Sequence, residues 1–177
     1  MLDSIRRVVT GHDEAGCSIV HFDGILPRRL GSNRRGLTEL WNTDGAPIDS
    51  RAADDRTELP FSLTPGAGGT KLIFFTVAPE DPQSDRAAEE KRAAAAFAAY
   101  NASQARPNTA RDPWMHKTNT IDYVIVLEGE VSLVLDGGER DLKPFDVVIQ
   151  RGTNHAWRNR GKQPALLAVV LIDATVR

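Results

Sequence analysis

The sequence predicts an all-β protein of antiparallel strands joined by hairpins, with one α-helix set among them. Three observations carry that expectation. Runs rich in Val and Ile at 121–127, 131–135 and 146–150 are separated by the corners Glu128-Gly129-Glu130 and Asp136-Gly137-Gly138, the punctuation expected of hairpins. The run 165–172 is continuously apolar and suits a strand covered on both faces. Only 84–104 breaks the β pattern, with many alanines, the strongest helix formers.

Taken in order, 5–10 and 17–22 are β-prone runs around a turn at 11–16, and Asp23-Gly24 ends the second. The segment 26–36 is rich in Pro, Arg and Gly and reads as a solvated loop. Residues 37–43 alternate apolar and polar side chains like a half-exposed strand, and 46–59 read as a long surface loop. Short runs at 61–63 and 69–77 flank Pro65-Gly66-Ala67-Gly68-Gly69. That glycine loop lacks the Lys-Ser/Thr ending of a phosphate loop and no helix follows it, so it reads as a turn or bulge. The helix takes its cap from Asp81 or Ser84, stops before Pro107, and can pair Arg86 with Glu90. Ala93, Ala96, Phe97 and Tyr100 form its apolar stripe, placed to close one side of a barrel mouth.

Composition narrows the function. A chain of 177 residues, 41% apolar and 26% charged, makes one domain, here divided into strands and loops at 1–80, an inserted helix at 81–106 and a core at 110–175. A net charge of -2 and a pI near 6.1 give no footprint for nucleic acid. No apolar run is long enough to cross a bilayer and no signal-peptide pattern opens the chain, so the expectation is a cytoplasmic protein without membrane partners. Cys17 stands alone and reads as a small, half-buried side chain in a strand, and His12 and His21 read as non-ligands.

The chemistry gathers at 116–159. Strand parity turns His116, Thr118, Thr120 and Asp122 to one face, and Thr153, His155, Trp157 and Asn159 to another. Two imidazoles and a carboxylate can therefore converge inside one barrel. Tyr123 has the outward parity. Trp157 suits a flat or apolar ligand, with Thr118 and Gln150 beside it as binding groups. Gln150, Arg151 and Arg158 are candidates to hold an anionic substituent, Arg158 with outward parity.

This stretch resembles the two motifs of the cupin superfamily. His116, Thr118, Asp122 and Gly129 stand at the places of the first, His-x-His…Glu…Gly. Gln150, Gly152, His155 and Asn159 stand at those of the second, Pro-x-Gly-x-x-His-x-x-x-Asn. Thr118, Asp122 and Gln150 depart from the usual His, Glu and Pro, and Phe145 stands where the family's Gly-Asp turn has its glycine. The pattern is similar to a subgroup of small bacterial and fungal cupins, some of whose fungal members sit among secondary-metabolism enzymes and are described as oxidoreductases.

The resemblance implies a double-stranded β-barrel (a jelly roll) with an N-terminal β extension, paired into a homodimer through its N-terminal strands. It also implies a divalent metal (Fe, Mn, Ni or Zn) on His116, Asp122 and His155, a facial set that suits non-haem iron. Three functions stay open: a metal-dependent oxidoreductase or dioxygenase of aromatic or polyketide-like compounds, a metal-free isomerase, cyclase or lyase using the His–Asp pair as catalytic groups, and a non-catalytic small-molecule binding module.

Overall fold

The computed structural model describes residues 2–25, 29–32, 34–51 and 54–175. Eleven strands are present among them: β1 Arg6–His12, β2 Ser18–Ile25, β3 Leu30–Gly31, β4 Gly36–Asn42, β5 Thr70–Val77, β6 Thr120–Glu128, β7 Val131–Leu135, β8 Gly138–Leu142, β9 Val147–Arg151, β10 His155–Arg158 and β11 Ala165–Asp173. A six-stranded sheet in the order β3-β4-β5-β11-β6-β9 faces a three-stranded sheet in the order β10-β7-β8, and β1-β2 form a hairpin of their own. This is the expected β-barrel.

The apolar run at the end of the chain lands in the middle of the larger sheet. β11 pairs antiparallel with β5 on one side and β6 on the other. Leu167, Val169 and Leu171 turn inward with Ile73 of β5 and Val124 of β6, and they meet Val131 of β7 from the opposite sheet. Each such side chain contributes about 1.5–3 kcal/mol on burial. β9 continues the sheet by pairing Gln150 with Asp122.

The N-terminal hairpin is fastened by one cation. Arg7 is buried, donates to the Leu40 carbonyl at 3.0 Å, ion-pairs with Asp55 and lies over the Phe22 ring at 4.5 Å. The guanidinium holds the Asp55 carboxyl down at a pKa of about 2. On β4 Leu37, Thr38 and Leu40 are all buried, Leu37 in the barrel core and Leu40 beside Arg7.

Several local expectations are corrected. The helix, α1 Arg86–Ala99, is shorter than 84–104 and is capped by Asp85, whose carboxylate accepts from the Ala88 amide. Arg86 donates to the Thr109 and Ala110 carbonyls, and Glu90 pairs with Arg106 instead. Residues 61–63 form no strand, although Phe61 enters the core. Cys17 is exposed and lies just outside β2. The polar strand β8 and the two-residue β3 lacked an apolar signal, being at sheet edges. Within the loop expected at 26–36, residues 26–28 and 33 lie outside the described residues. The glycine loop is a turn: Gly68 has φ +69, and a Cβ on Gly69 would stand 2.0 Å from the Thr43 carbonyl oxygen. No helix among the described residues is long and apolar enough to cross a membrane.

The turn before β9 carries Phe145 at φ 74 with an 84% exposed side chain. A left-handed backbone costs a residue with a side chain about 1–2 kcal/mol, and the exposed ring recovers little of that. The glycine usual at this place in the family matches the conformation. Phe145→Gly is expected to stabilise the fold by about 0.5–1 kcal/mol, the strain relief less the unfolded-chain entropy of glycine. Urea denaturation checks this; a loss of stability would show that the ring makes a contact worth more than the strain.

Candidate functional site

A cavity of about 140 Å³ opens between the two sheets. β6 contributes Asp122 and Val124, β10 contributes His155 and Trp157, and the segment leading into β6 contributes Trp114, His116 and Thr118. Six of the sequence-predicted residues therefore come together, counting His116, Thr118, Asp122, His155 and Trp157 at the cavity and Gln150 behind Asp122 in the β6–β9 register.

The two histidines are placed by their own backbones. His116 donates its amide to the His155 carbonyl at 2.8 Å and accepts from the His155 amide at 2.9 Å, an isolated antiparallel bridge. Directly opposed residues put their side chains on the same face, so the rings meet with centroids 4.2 Å apart. Each Nδ1 lies 3.0 Å from a carbonyl two residues back, Trp114 for His116 and Thr153 for His155. A carbonyl only accepts, so each Nδ1 must carry the proton and each Nε2 is left with a lone pair. Neither Nε2 has a hydrogen-bond partner among the described residues.

Electrostatics keeps both rings neutral. Burial depresses the His155 pKa to about 3, and the adjacent His116 adds to the effect. Burial likewise lowers His116, opposed by its bond to the Trp114 carbonyl. Phe97 of α1 packs on the His116 ring at 4.8 Å, and Trp157 meets His155 edge-on at 5.7 Å.

Asp122 is the third group. It is 5% exposed, its Oδ1 has no hydrogen-bond partner among the described residues, and burial raises its pKa to about 6 against the influence of the Thr120 hydroxyl. Thr118 sits beside it, its hydroxyl 2.7 Å from that of Thr120.

The metal expectation meets a different geometry. Among the described residues no three His, Cys, Asp or Glu are gathered as a metal-holding group. Two imidazoles touch, but the shorter Asp122 carboxylate is not drawn in with them, and Thr118 brings a neutral hydroxyl already engaged with Thr120. As placed, His116, Asp122 and His155 do not form one coordinating group.

Other assignments also change. Gln150 is buried but donates to the Thr153 carbonyl at 3.1 Å and does not line the cavity. Asn159 leaves the face of His155, donating to the Val77 and Gln163 carbonyls at 2.8 Å. Arg158 has the expected outward direction and pairs with Asp112 at 2.6 Å. Tyr123 is exposed as its parity predicts. Arg35, Tyr100 and Phe75 line the cavity without having been singled out as binding groups. Tyr100 ended the predicted helical stripe, whereas Arg35 had no signal beyond its place in a charged loop.

Known proteins are similar to this chain in sequence. The family model described as Cupin domain matches residues 104–171. The chain is 33% identical over 163 residues to phomopsin biosynthesis cluster protein C' of Diaporthe leptostromiformis, spanning 88% of this chain and 70% of that one. It is 43% identical over 183 residues to the cupin-domain-containing oxidoreductase srdD of Neurospora crassa, spanning 97% and 76%. The solved Cnp3 cupin domain of Schizosaccharomyces pombe is similar over 95% of this chain and 87% of that one, at 10% identity and a TM-score of 0.48.

The Asp122 carboxyl makes a pH prediction. A folded-state pKa raised from 3.8 to about 6 means that the ionised form opposes folding above pH 6. Below about pH 4 the group is protonated in both states and the penalty is gone. Asp122→Asn is therefore expected to stabilise the protein at pH 7.5 by on the order of 2 kcal/mol, with no gain at pH 3.5. Melting curves of the two proteins across this range check it. The depressed histidine pKa values act in the opposite sense but cancel in the comparison. A gain independent of pH would mean that Asp122 is not the titrating group.

Proposed function

We infer that this chain, which belongs to the cupin family, holds a small organic molecule in its barrel cavity and moves a proton on it. The observation that carries the reading is the paired tautomer. Both Nδ1–H groups are spent on backbone carbonyls, so His116 and His155 present two Nε2 acceptors to whatever enters. A ligand O–H or N–H is bound there as donor. Asp122 is the proton-transfer group: its pKa near 6 lies close to neutral pH, whereas His155 near 3 is too weakly basic to hold a proton. Thr118 and Trp157 complete the binding surface, a hydroxyl and an aromatic wall. Proton removal at one atom and return at another is the chemistry of an isomerase, cyclase or lyase.

Size restricts the ligand. A cavity near 150 Å³ takes about one benzene ring, so the buried part of the substrate is a single ring or its equivalent, and a larger polyketide-like molecule would extend through the mouth.

A second reading is favoured by the relatives whose names are oxidoreductases. It makes the protein an oxidoreductase or dioxygenase with Fe, Mn, Ni or Zn on His116, Asp122 and His155, and it requires Asp122 to join the imidazoles as a ligand. Elemental analysis of protein purified without chelator separates the two. The proton-transfer reading expects well under one equivalent of metal, with phenol binding retained after dialysis against chelator. It also expects His155→Ala to weaken phenol binding about tenfold, the loss of one good hydrogen bond. A full equivalent of metal, lost together from His116→Ala, Asp122→Ala and His155→Ala, would establish the metal reading instead.

The protein is also proposed to be a homodimer. Val8, Val20 and Ile25 are exposed on the β1-β2 hairpin, apolar side chains that a second subunit would cover. Light scattering at micromolar concentration should give twice the chain mass; a monomer alone would end this proposal.

A further inference from the structure

Arg35 stands at the cavity wall just before β4, and its guanidinium is held by stacking. It lies over the Trp114 ring at 4.3 Å, is about one-third exposed, and makes no hydrogen bond among the described residues. The acids around it are already engaged. Glu89 approaches only to 3.8 Å, and its oxygens accept from Trp114 Nε1 at 2.9 Å, from the Ser84 hydroxyl at 2.8 Å and from Arg92. Asp112 accepts from the Trp114 amide at 2.7 Å and from Arg158 at 2.6 Å. Among the described residues no acceptor lies within hydrogen-bond distance of the Arg35 guanidinium, and Arg35 lines both the cavity and the adjoining polar cleft.

We propose that Arg35 is a specificity-determining anchor that binds a carboxylate on the ring held in the cavity, so that the substrates are small aromatic or ring-bearing acids. The planar fork of an arginine matches the two oxygens of a carboxylate. Stacking on Trp114 fixes the plane of that fork, and partial burial strengthens its attraction for an anion while lowering its own pKa. Trp114 couples the anchor to the proton-transfer site, because its carbonyl is the acceptor that sets the His116 tautomer. The cations expected from sequence to do this work are elsewhere: Arg158 is spent on Asp112, and Arg151 is exposed outside the cavity.

The proposal rests on the reading of the cavity as the ligand site, and two probes separate the claims. Benzoate and its neutral analogue benzamide are titrated into the whole protein at pH 7.5 by ligand-observed NMR. Benzoate is expected to bind about tenfold tighter than benzamide, the scale of one partly solvated charge-assisted pair. Arg35→Gln should bring the two affinities together by weakening benzoate far more than benzamide, with a melting curve like that of the wild type showing that the variant is folded. Arg35→Lys should keep part of the difference, since it retains the charge without the fork. Equal binding of the probes to the wild-type protein, or a preference that survives Arg35→Gln, overturns the anchor and leaves the cavity as the ligand site. Failure of both probes to bind while phenol still binds overturns the anchor alone, and failure of all three overturns the cavity reading as well.

Discussion

The backbone bridge between His116 and His155 is the constraint on which the site depends. Without it the segment before β6 would be free to leave β10, and the two imidazoles would have no fixed relation. Two amide–carbonyl bonds of 2.8 and 2.9 Å fix the strands, and two ring–carbonyl bonds of 3.0 Å then fix each ring about its own backbone. The result is a pair of acceptors made from residues that are usually ambiguous between donor and acceptor. That assignment follows from connectivity, because both carbonyls belong to the chain just preceding each histidine.

The same dryness that neutralises the histidines makes Asp122 expensive. A buried carboxylate with an unpartnered oxygen is stable only if something else holds the strand, and here β6 is paired on both sides, by β11 and β9. Each intact ladder contributes several hydrogen bonds of about 1 kcal/mol net. Together with the core around Leu167 and Val126 they exceed the penalty of one raised pKa. A position that opposes folding and is tolerated by its surroundings is the pattern found at sites shaped by function.

Most of the barrel could be read from the sequence because the signal was strong there. Alternation on β6 and the unbroken apolar run of β11 are consequences of one-sided and two-sided burial, and glycine corners such as Gly129, at φ +76, are demanded by the backbone itself. Asp122, His155 and Trp157 reached the cavity because period-two counting holds along β6 and β10, while His116 and Thr118 lie before β6 and His116 is carried to the same face by its isolated bridge to His155. The counting failed at Asn159, where β10 has already ended at Arg158, and at Gln150, whose amide is used to close the β9–β10 turn. β8 went unseen because an edge strand of sequence GERDL buries too little to show a period. Arg35 was illegible for a different reason: its role depends on Trp114 and Glu89, brought to it only by the fold.

The helix shows why adjacency in sequence is a weaker guide than packing. Its place before His116 suggested a cover for the barrel mouth, and Tyr100 at its end does line the cavity. The attachments make it a fixed wall. Ala93 and Phe97 are buried, Arg106 ties Glu90 to the Pro113 carbonyl, Arg86 holds the Thr109 and Ala110 carbonyls, and the Leu63 amide donates to the Tyr100 carbonyl. Swinging α1 outward would expose Phe97, at about 2–3 kcal/mol, and break several of these bonds at once. It would also strip the His116 ring of the contact that keeps water from it. The polar cleft on the side of Arg35 and Trp114, by contrast, adjoins the cavity without crossing the helix's packed face.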